Sequence, residues 1–475
     1  MISKAKSWII LSTLVMLSVT GCQPMPVPPP DNAATATAPV KATSAPIAQP
    51  TNHLPSPTPP AHLQVDPEEL KGLEIIFAVP WSGQIEQTAS GLVSEFNRTN
   101  IWGIQVSITA LGSDALLNDY VEANLKTDQS ANVIVAPIEQ LQLWQKNENG
   151  IISLNDYISN PQWGIPAAEI ETYNPAIWKQ DSWGERQLGI PALRTAPVLI
   201  YNSTWAEELG FNTPPATTTE FKEQVCAAAG AVKLDRNDGT GGWIVNTSPM
   251  STLHWFKAFN GIDLAELNDE AYRFNTPQSR QALTYLRTLF DEGCAWNSRI
   301  SLPYNYFSNR QVLIYSGTLD DIPAQASSQH RSESADRWQA IPYPSDNQEQ
   351  SFLIYGNSYA ILVDGPQKQL ASWLFIRWMS DPERQSKLAS ASATLPVTSG
   401  AAELMMDDTT IHPQWKEVIT QLASAQPAPH APSWPIVRNI LADAAWQTFQ
   451  PNAEIDNIPT YLQQLDNTIR EILAR

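Results

Sequence analysis

Between residues 73 and 144, short apolar runs alternate three times with segments of helical periodicity. Residues 73–79, 104–111 and 132–136 are short and rich in β-branched side chains, as buried strands are. Ile85, Thr88, Ala89, Leu92, Val93 and Phe96 fall at i, i+3, i+4, i+7, i+8 and i+11, which is one face of a helix. Leu116, Leu117, Tyr120, Val121 and Leu125 mark a second helix, and Pro137 ends the third strand before a short helix through Leu141 to Trp144. Parallel strands need long crossovers, and the crossover helices cover the sheet. The pattern therefore demands an α/β body with a parallel sheet clothed on both faces.

The chain before that body is of another kind. Residues 1–22 have the form of a secretory signal: basic Lys4 and Lys6, then an apolar stretch from Trp8 to Val19, short for a membrane span. It ends in Val19-Thr20-Gly21-Cys22, which resembles a bacterial lipobox with Val19 where Leu is usual. Cys22 is thus expected to carry lipid, and the protein to sit exported on the outer face of the cell membrane. Residues 23–66 are Pro-, Ala- and Thr-rich, too poor in apolar bulk to offset the entropy of ordering, and are expected to be a disordered tether.

A second α/β pattern follows residue 191. Val198-Leu199-Ile200-Tyr201 reads as a buried strand, and Thr204 and Glu207 have capping-box spacing for a short helix. Residues 221–229, 253–259 and 282–290 read as helices, 243–246 and 311–317 as strands. Further strands are expected at 338–342 and 351–364, a helix from Pro366, and two amphipathic helices in the tail, carrying Ile436 to Ala444 and Tyr461 to Leu473.

Several short motifs occur in a telling order. Phe77-x-x-x-Trp81 comes first, then Gly103-Ile104-x-Val106, Gly189-x-Pro191, Tyr201-Asn202 and Pro214-Pro-Ala-Thr217-Thr-Thr-Glu220-Phe221. Near the end come Ser380-Asp-Pro-Glu-Arg-Gln385 and Leu395-Pro396. In this order they resemble the extracellular solute-binding lipoproteins of bacterial ABC transporters, in their sugar-type family 1. The resemblance implies a two-lobe periplasmic-binding-protein-like (type II) fold with an interlobe hinge and C-terminal helices. It implies lobe 1 over 73–190, lobe 2 over 191–319, a return to lobe 1 over 320–380, and lobe 2 C-terminal helices over 381–475. The crossovers would fall at Gly189–Pro191 and near Gly317.

In that family, ligand contacts lie on loops at the C-terminal ends of strands, facing the other lobe. The resemblance therefore points to Trp81, Ser82, Gly83, Ser113, Asp114, Pro137 and Ile138 in lobe 1. In lobe 2 it points to Ser251, His254, Tyr315, Ser316, Gly317 and Trp434. Trp81 and Trp434 stand out as loop aromatics beside Ser or Pro, expected to be partly solvated and to face each other across a cleft. The third strand carries Asn132 where the family often has Asp, so no acidic contact is expected there.

Catalytic signatures do not emerge. There is no Gly-x-Ser-x-Gly elbow, His-Glu-x-x-His pair, Cys-x-x-Cys or Walker loop. Asp320-Asp321 and Asp407-Asp408 read as solvated turns, and Asp235 to Gly239 fails the register of a calcium loop. No metal or cofactor is expected. Cys226 and Cys294 remain after Cys22; in an exported protein an even pair is expected to be bonded, the alternative being two buried thiols.

Twenty-nine Lys and Arg against 48 Asp and Glu, a net −19, argue against nucleic acid and against a polybasic membrane patch. The expected function is a monomeric binding protein. It captures a small solute, a sugar or oligosaccharide by preference, and hands it to the transmembrane subunits of an ABC permease. An exported glycan-active enzyme and a solute-sensing module for a surface receptor are the alternatives.

Overall fold

The strand–helix pairs at the start of the globular part build the first of the two five-stranded sheets among the described residues. The computed structural model describes residues 63–234, 240–298, 302–346, 353–408 and 412–474. The signal segment, the tether up to residue 62 and the turn at 235–239 lie outside the described residues.

Strand β1 (Glu74–Val79) pairs in parallel with β2 (Gln105–Ala110) and β3 (Val133–Pro137). Helices α1 (Gln84–Thr99), α2 (Asp114–Asn124) and α3 (Ile138–Glu148) follow the three strands. The periodicity of α1 is realised as packing, with Ala89, Leu92, Val93 and Phe96 buried. Gly83 caps α1 at φ +69°, a left-handed conformation that explains a glycine there. After α4 (Pro175–Gln180), the short strand β4 (Ile190–Pro191) completes this sheet's contribution from the first half of the chain.

The chain then crosses into β5 (Pro197–Asn202), whose six residues are all buried. The helix after it runs Ser203–Glu208 and is capped by Asn202, whose side-chain oxygen accepts from the Trp205 N–H, so the expected Thr204 capping box is displaced. The second body continues through α5 (Thr218–Leu234), β6 (Trp243–Ile244), α6 (Pro249–Ala258), α7 (Pro277–Asp291), β7 (Ala295–Trp296) and β8 (Ile314–Thr318). It ends with α8 (Ile322–Arg331) and β9 (Trp338–Ile341). The sheet order is β9-β5-β8-β6-β7.

A second passage leads through β10 (Leu353–Ile354) into β11 (Asn357–Ile361), which runs antiparallel to β3 and gives the first sheet its order β2-β1-β3-β11-β4. Helices α9 (Pro366–Met379), α10 (Pro382–Ser392) and α11 (Ser399–Asp407) stay with this sheet. A third passage through β12 (Gln426–Pro427) leads to α12 (Trp434–Thr448) and α13 (Ile458–Leu473), which pack with α6 and α7 on the second body. The two later passages are sewn together by β10 pairing in parallel with β12.

Three expectations change. Leu63 and Val65, assigned to the tether, are buried in the core that includes Phe77, so ordered chain begins earlier. The return to lobe 1 is not at Gly317: β8 is an interior strand of the second sheet, and a capping box of Thr318 and Asp321 turns it into a helix leading to β9 of that same sheet. Residues 382–407 belong with lobe 1, because α10 buries Leu388 and Ala389 and packs on α1.

Cys226 on α5 and Cys294 just before β7 are bonded to each other across a separation of 68 residues. Reduction should lower stability by about 4 kcal/mol on the chain-entropy account. Denaturation curves with and without reductant check it; coincident curves would show that the bond constrains little.

Candidate ligand-binding cleft

The C-terminal ends of β1 and β3 face those of β6 and β8 across a cleft of about 930 Å³. Trp81 follows β1, Asp114 and Asn118 lie on the first turns of α2, and Glu139 lies on the first turn of α3. From the other side come Asn246 and Ser248 after β6, Ser316 and Gly317 of β8, and Trp434 and Arg438 of α12. The floor is the joint between the bodies, with Arg194, Thr195, Tyr343, Tyr355 and Asn357.

That joint is narrow. Thr195 bridges Tyr355, Arg194 bridges Leu395, and a Cβ added at Gly356 would stand 2.2 Å from the Leu193 carbonyl oxygen. Arg194 has no exposed side-chain surface. Its guanidinium lies 2.6 Å from Asp181 and also donates to Gln180, Ser358 and the carbonyls of Leu193 and Asn357. Burial raises the Asp181 carboxyl while Arg194 draws it back down. Arg194 is therefore held within the protein, leaving Arg438 as the cation that the cleft presents among the described residues.

Arg438 reaches across to Glu139 at 3.3 Å, joining the second body to the first. Burial pushes the Glu139 carboxyl up, and Arg438 partly offsets this. The Asp114 carboxyl, exposed at the rim of the cleft, is likewise raised by partial desolvation, against a 3.1 Å hydrogen bond from Asn357 and the field of Arg438. Asp320 and Asp321 also line the cleft, rather than forming a mere solvated turn. Asp321 accepts from the Thr318 N–H and from the Tyr304 hydroxyl, so it shapes the loop, while Asp320 accepts from Thr195 at 3.3 Å. The balance of charge in the cleft is acidic.

Of the residues expected from sequence, Trp81, Asp114, Pro137, Ser251, Ser316, Gly317 and Trp434 line the cleft. The others lie elsewhere. Ser82 and Gly83 form the exposed turn into α1, and Ser113 caps α2 by accepting from the Leu116 N–H. Ile138, the first residue of α3, is buried in the core. Tyr315 alternates away from Ser316 along its strand and donates its hydroxyl to Gln325.

His254 is also in the core. Its Nδ1 is 2.7 Å from the Met250 carbonyl and its Nε2 accepts from the Leu353 N–H, so the ring is the neutral Nδ1–H tautomer. Burial lowers its pKa to about 4. A folded pKa below the unfolded value means that the unfolded chain binds the extra proton first. Stability from this site is complete above about pH 6.5 and falls by on the order of 3 kcal/mol as the pH drops to about 4. Melting curves of the wild type and His254→Gln over this range test it: the wild type should lose more stability toward acid, and parallel profiles would refute the assignment.

The two tryptophans differ from expectation in burial. Trp81 is 7 % and Trp434 2 % exposed, so each shows little of its ring to the cleft. Trp81 sits edge-on to Phe77 with centroids 6.0 Å apart, and Trp434 stacks on Tyr272 at 6.4 Å. Sequence reasoning missed Glu139, Arg438, Asn118, Asn246, Tyr343 and Tyr355. For Glu139 and Arg438 a signal existed, since they follow Pro137 by two residues and Trp434 by one helical turn.

Residues 91–418, more than half of the chain, match the family described as bacterial extracellular solute-binding protein. A segment of 130 residues is 25% identical to a probable ABC transporter-binding protein of Deinococcus radiodurans, and spans 26% of this chain and 30% of that relative's length. Among solved structures, the sugar-binding protein MalE of Xanthomonas citri aligns at TM-score 0.70 and 18% identity, covering 84% of this chain and 97% of that one. The cyclic alpha-maltosyl-1,6-maltose binding protein of Arthrobacter globiformis aligns at 0.65 and 18%, over 84% and 98% of the two chains. UgpB of Mycobacterium tuberculosis, solved with glycerophosphocholine, aligns at 0.68 and 15%, over 85% and 99%. Among the described residues no helix is long and apolar enough to cross a membrane. With two α/β bodies closing on a cleft at their strand ends, and with the family match over residues 91–418, this chain belongs to the bacterial extracellular solute-binding proteins.

Proposed function

We propose that this chain is the capture subunit of an ABC importer for a sugar or short oligosaccharide, tethered by lipid on Cys22 and working as a monomer. The observation that carries the reading is the chemistry of the cleft. Carboxylates and carboxamides accept from and donate to hydroxyls, while the half-buried ring of Tyr355 and the small exposed parts of Trp81, Trp434 and Tyr343 offer apolar surface. An acidic cleft in which Arg438 is the presented cation among the described residues disfavours a phosphodiester or another anion, because like charges repel. Fold neighbours described as a sugar-binding protein and as a cyclic alpha-maltosyl-1,6-maltose binding protein support the same choice.

Ligand touching both bodies stabilises the closed arrangement, and the closed protein is what a permease would recognise. A thermal-shift screen of the purified protein against sugars, oligosaccharides, polyols, amino acids and glycerophosphodiesters tests the reading. A ligand at a hundred times its Kd adds about 2.7 kcal/mol of stability. Response to a glycerophosphodiester or an amino acid alone would overturn the sugar assignment, and turnover of an oligosaccharide during incubation would point to an enzyme instead.

The anchor has its own test. Mass spectrometry of the membrane-fraction protein should find Cys22 as a lipid-modified N-terminus. An unmodified Cys22, or a chain still beginning at Met1, would exclude anchoring by this residue.

A further inference from the structure

A second cavity, of about 480 Å³, lies beside the cleft on the second body. The two share a wall made by Asn246, Ser248, Pro303 and Ser316. The wall is braced: the Asn246 side chain accepts from the Ser248 N–H at 2.8 Å and donates to the Ser316 carbonyl at 3.1 Å. From β8 through β6 to the edge strand β7, the cavity follows the loops at the strands' C-terminal ends, the direction in which ligand sites of open α/β sheets extend.

Helix α12 runs alongside both cavities. Pro435 and Asn439 face the cleft, and Trp446, with Gln450 just past the helix end, lines the second cavity. Asn439 and Trp446 are seven residues apart, so they lie on one face of the helix. Trp434 and Trp446, near its two ends, are about 18 Å apart along the axis. Trp446 is 57 % exposed, and it is the only aromatic among the large apolar side chains left exposed among the described residues. A tryptophan left open above a polar shelf has no packing role that accounts for its exposure, but it has the flat apolar face on which a sugar ring can stack.

We propose that the second cavity is an outer subsite, in which Trp446 takes the distal unit of an oligosaccharide whose first units occupy the cleft. The ligand is then a chain of sugar units rather than a monosaccharide, bent over the wall at Ser248 and Ser316. This rests on the sugar reading of the cleft.

Calorimetric titration of the wild-type protein and Trp446→Ala with disaccharides and tetrasaccharides of the α-1,4 and β-1,4 glucose series tests it. In the wild type a tetrasaccharide should bind more tightly than the disaccharide of the same linkage. In Trp446→Ala that length advantage should shrink about tenfold, the size of one lost aromatic contact, and Trp446→Phe should restore much of it. An equal length advantage in wild type and Trp446→Ala, or an equal loss for both lengths, overturns the outer subsite while leaving the cleft reading intact. If neither series binds the wild type at all, the glucan-chain ligand fails and the outer subsite with it, whereas the cleft reading is then judged by the wider screen.

Discussion

Replacing Arg194 by methionine should destabilise the protein by about 3–5 kcal/mol, the cost of stripping one partner from a buried ion pair. Neither Arg194 nor Asp181 has exposed side-chain surface. With the guanidinium gone, the Asp181 carboxylate would keep only the Ser358 hydroxyl among its present donors. It would take up a proton rather than stay charged in the interior, so the loss should be smaller in acid than at neutral pH. The double variant Arg194→Met, Asp181→Leu should recover much of the loss, because no unpaired charge remains. Urea denaturation of Arg194→Met, Asp181→Leu alone and the double variant gives the cycle. A single variant that loses under 1 kcal/mol, or a double variant worse than the sum of its parts, would show that the pair does not brace the joint. The carbonyls of Leu193 and Asn357 belong to two different passages between the bodies, so the same side chain also ties those passages together.

Trp434→Ala should likewise cost about 3–5 kcal/mol, the range for truncating a buried tryptophan. The ring is 2 % exposed, stacks on Tyr272, and opens the helix that carries Arg438 toward Glu139. Loss of the ring leaves a void at the root of α12 and loosens what that helix presents to the cleft. Ligand affinity should therefore fall together with stability. Trp434→Phe should retain most of both. Equilibrium denaturation beside ligand titration separates the effects: full stability with weakened binding would mean that the ring serves ligand alone. Trp446→Ala provides the contrast, since an exposed ring of α12 should leave stability within about 0.5 kcal/mol.

Much of this architecture is written locally. The 3.6-residue period of Ala89, Leu92, Val93 and Phe96 and the short runs around β1, β2 and β3 require a covered parallel sheet, and those residues are buried as the period demands. The motif order from Gly103 to Leu395 falls within the family match over residues 91–418, and the Phe77-x-x-x-Trp81 motif precedes it. The loops after β1, β3 and β8 were legible as candidate sites for the same reason, because strand ends in α/β sheets point toward a crevice.

What stayed hidden depends on partners far apart in the chain. Strand β8 and the Gly317 turn look alike whether the next strand joins the same sheet or the other one; only the pairing of β9 with β5 decides it. Residues 382–407 carry a helical period that names no partner, and α1 supplies it. Glu139 and Arg438 are 299 positions apart, and no spacing rule brings them together. Burial of Trp434 could not be read from its loop setting, since Tyr272 comes to it from far earlier in the chain and only once the second body is packed. Sequence by itself determined the layers, the helix faces and the strand ends that point toward a site, because these follow from periods of 2 and 3.6 residues. Which body each late element joins, and which charges meet across the cleft, were decided by tertiary packing alone, because contacts between distant residues leave no period in the chain.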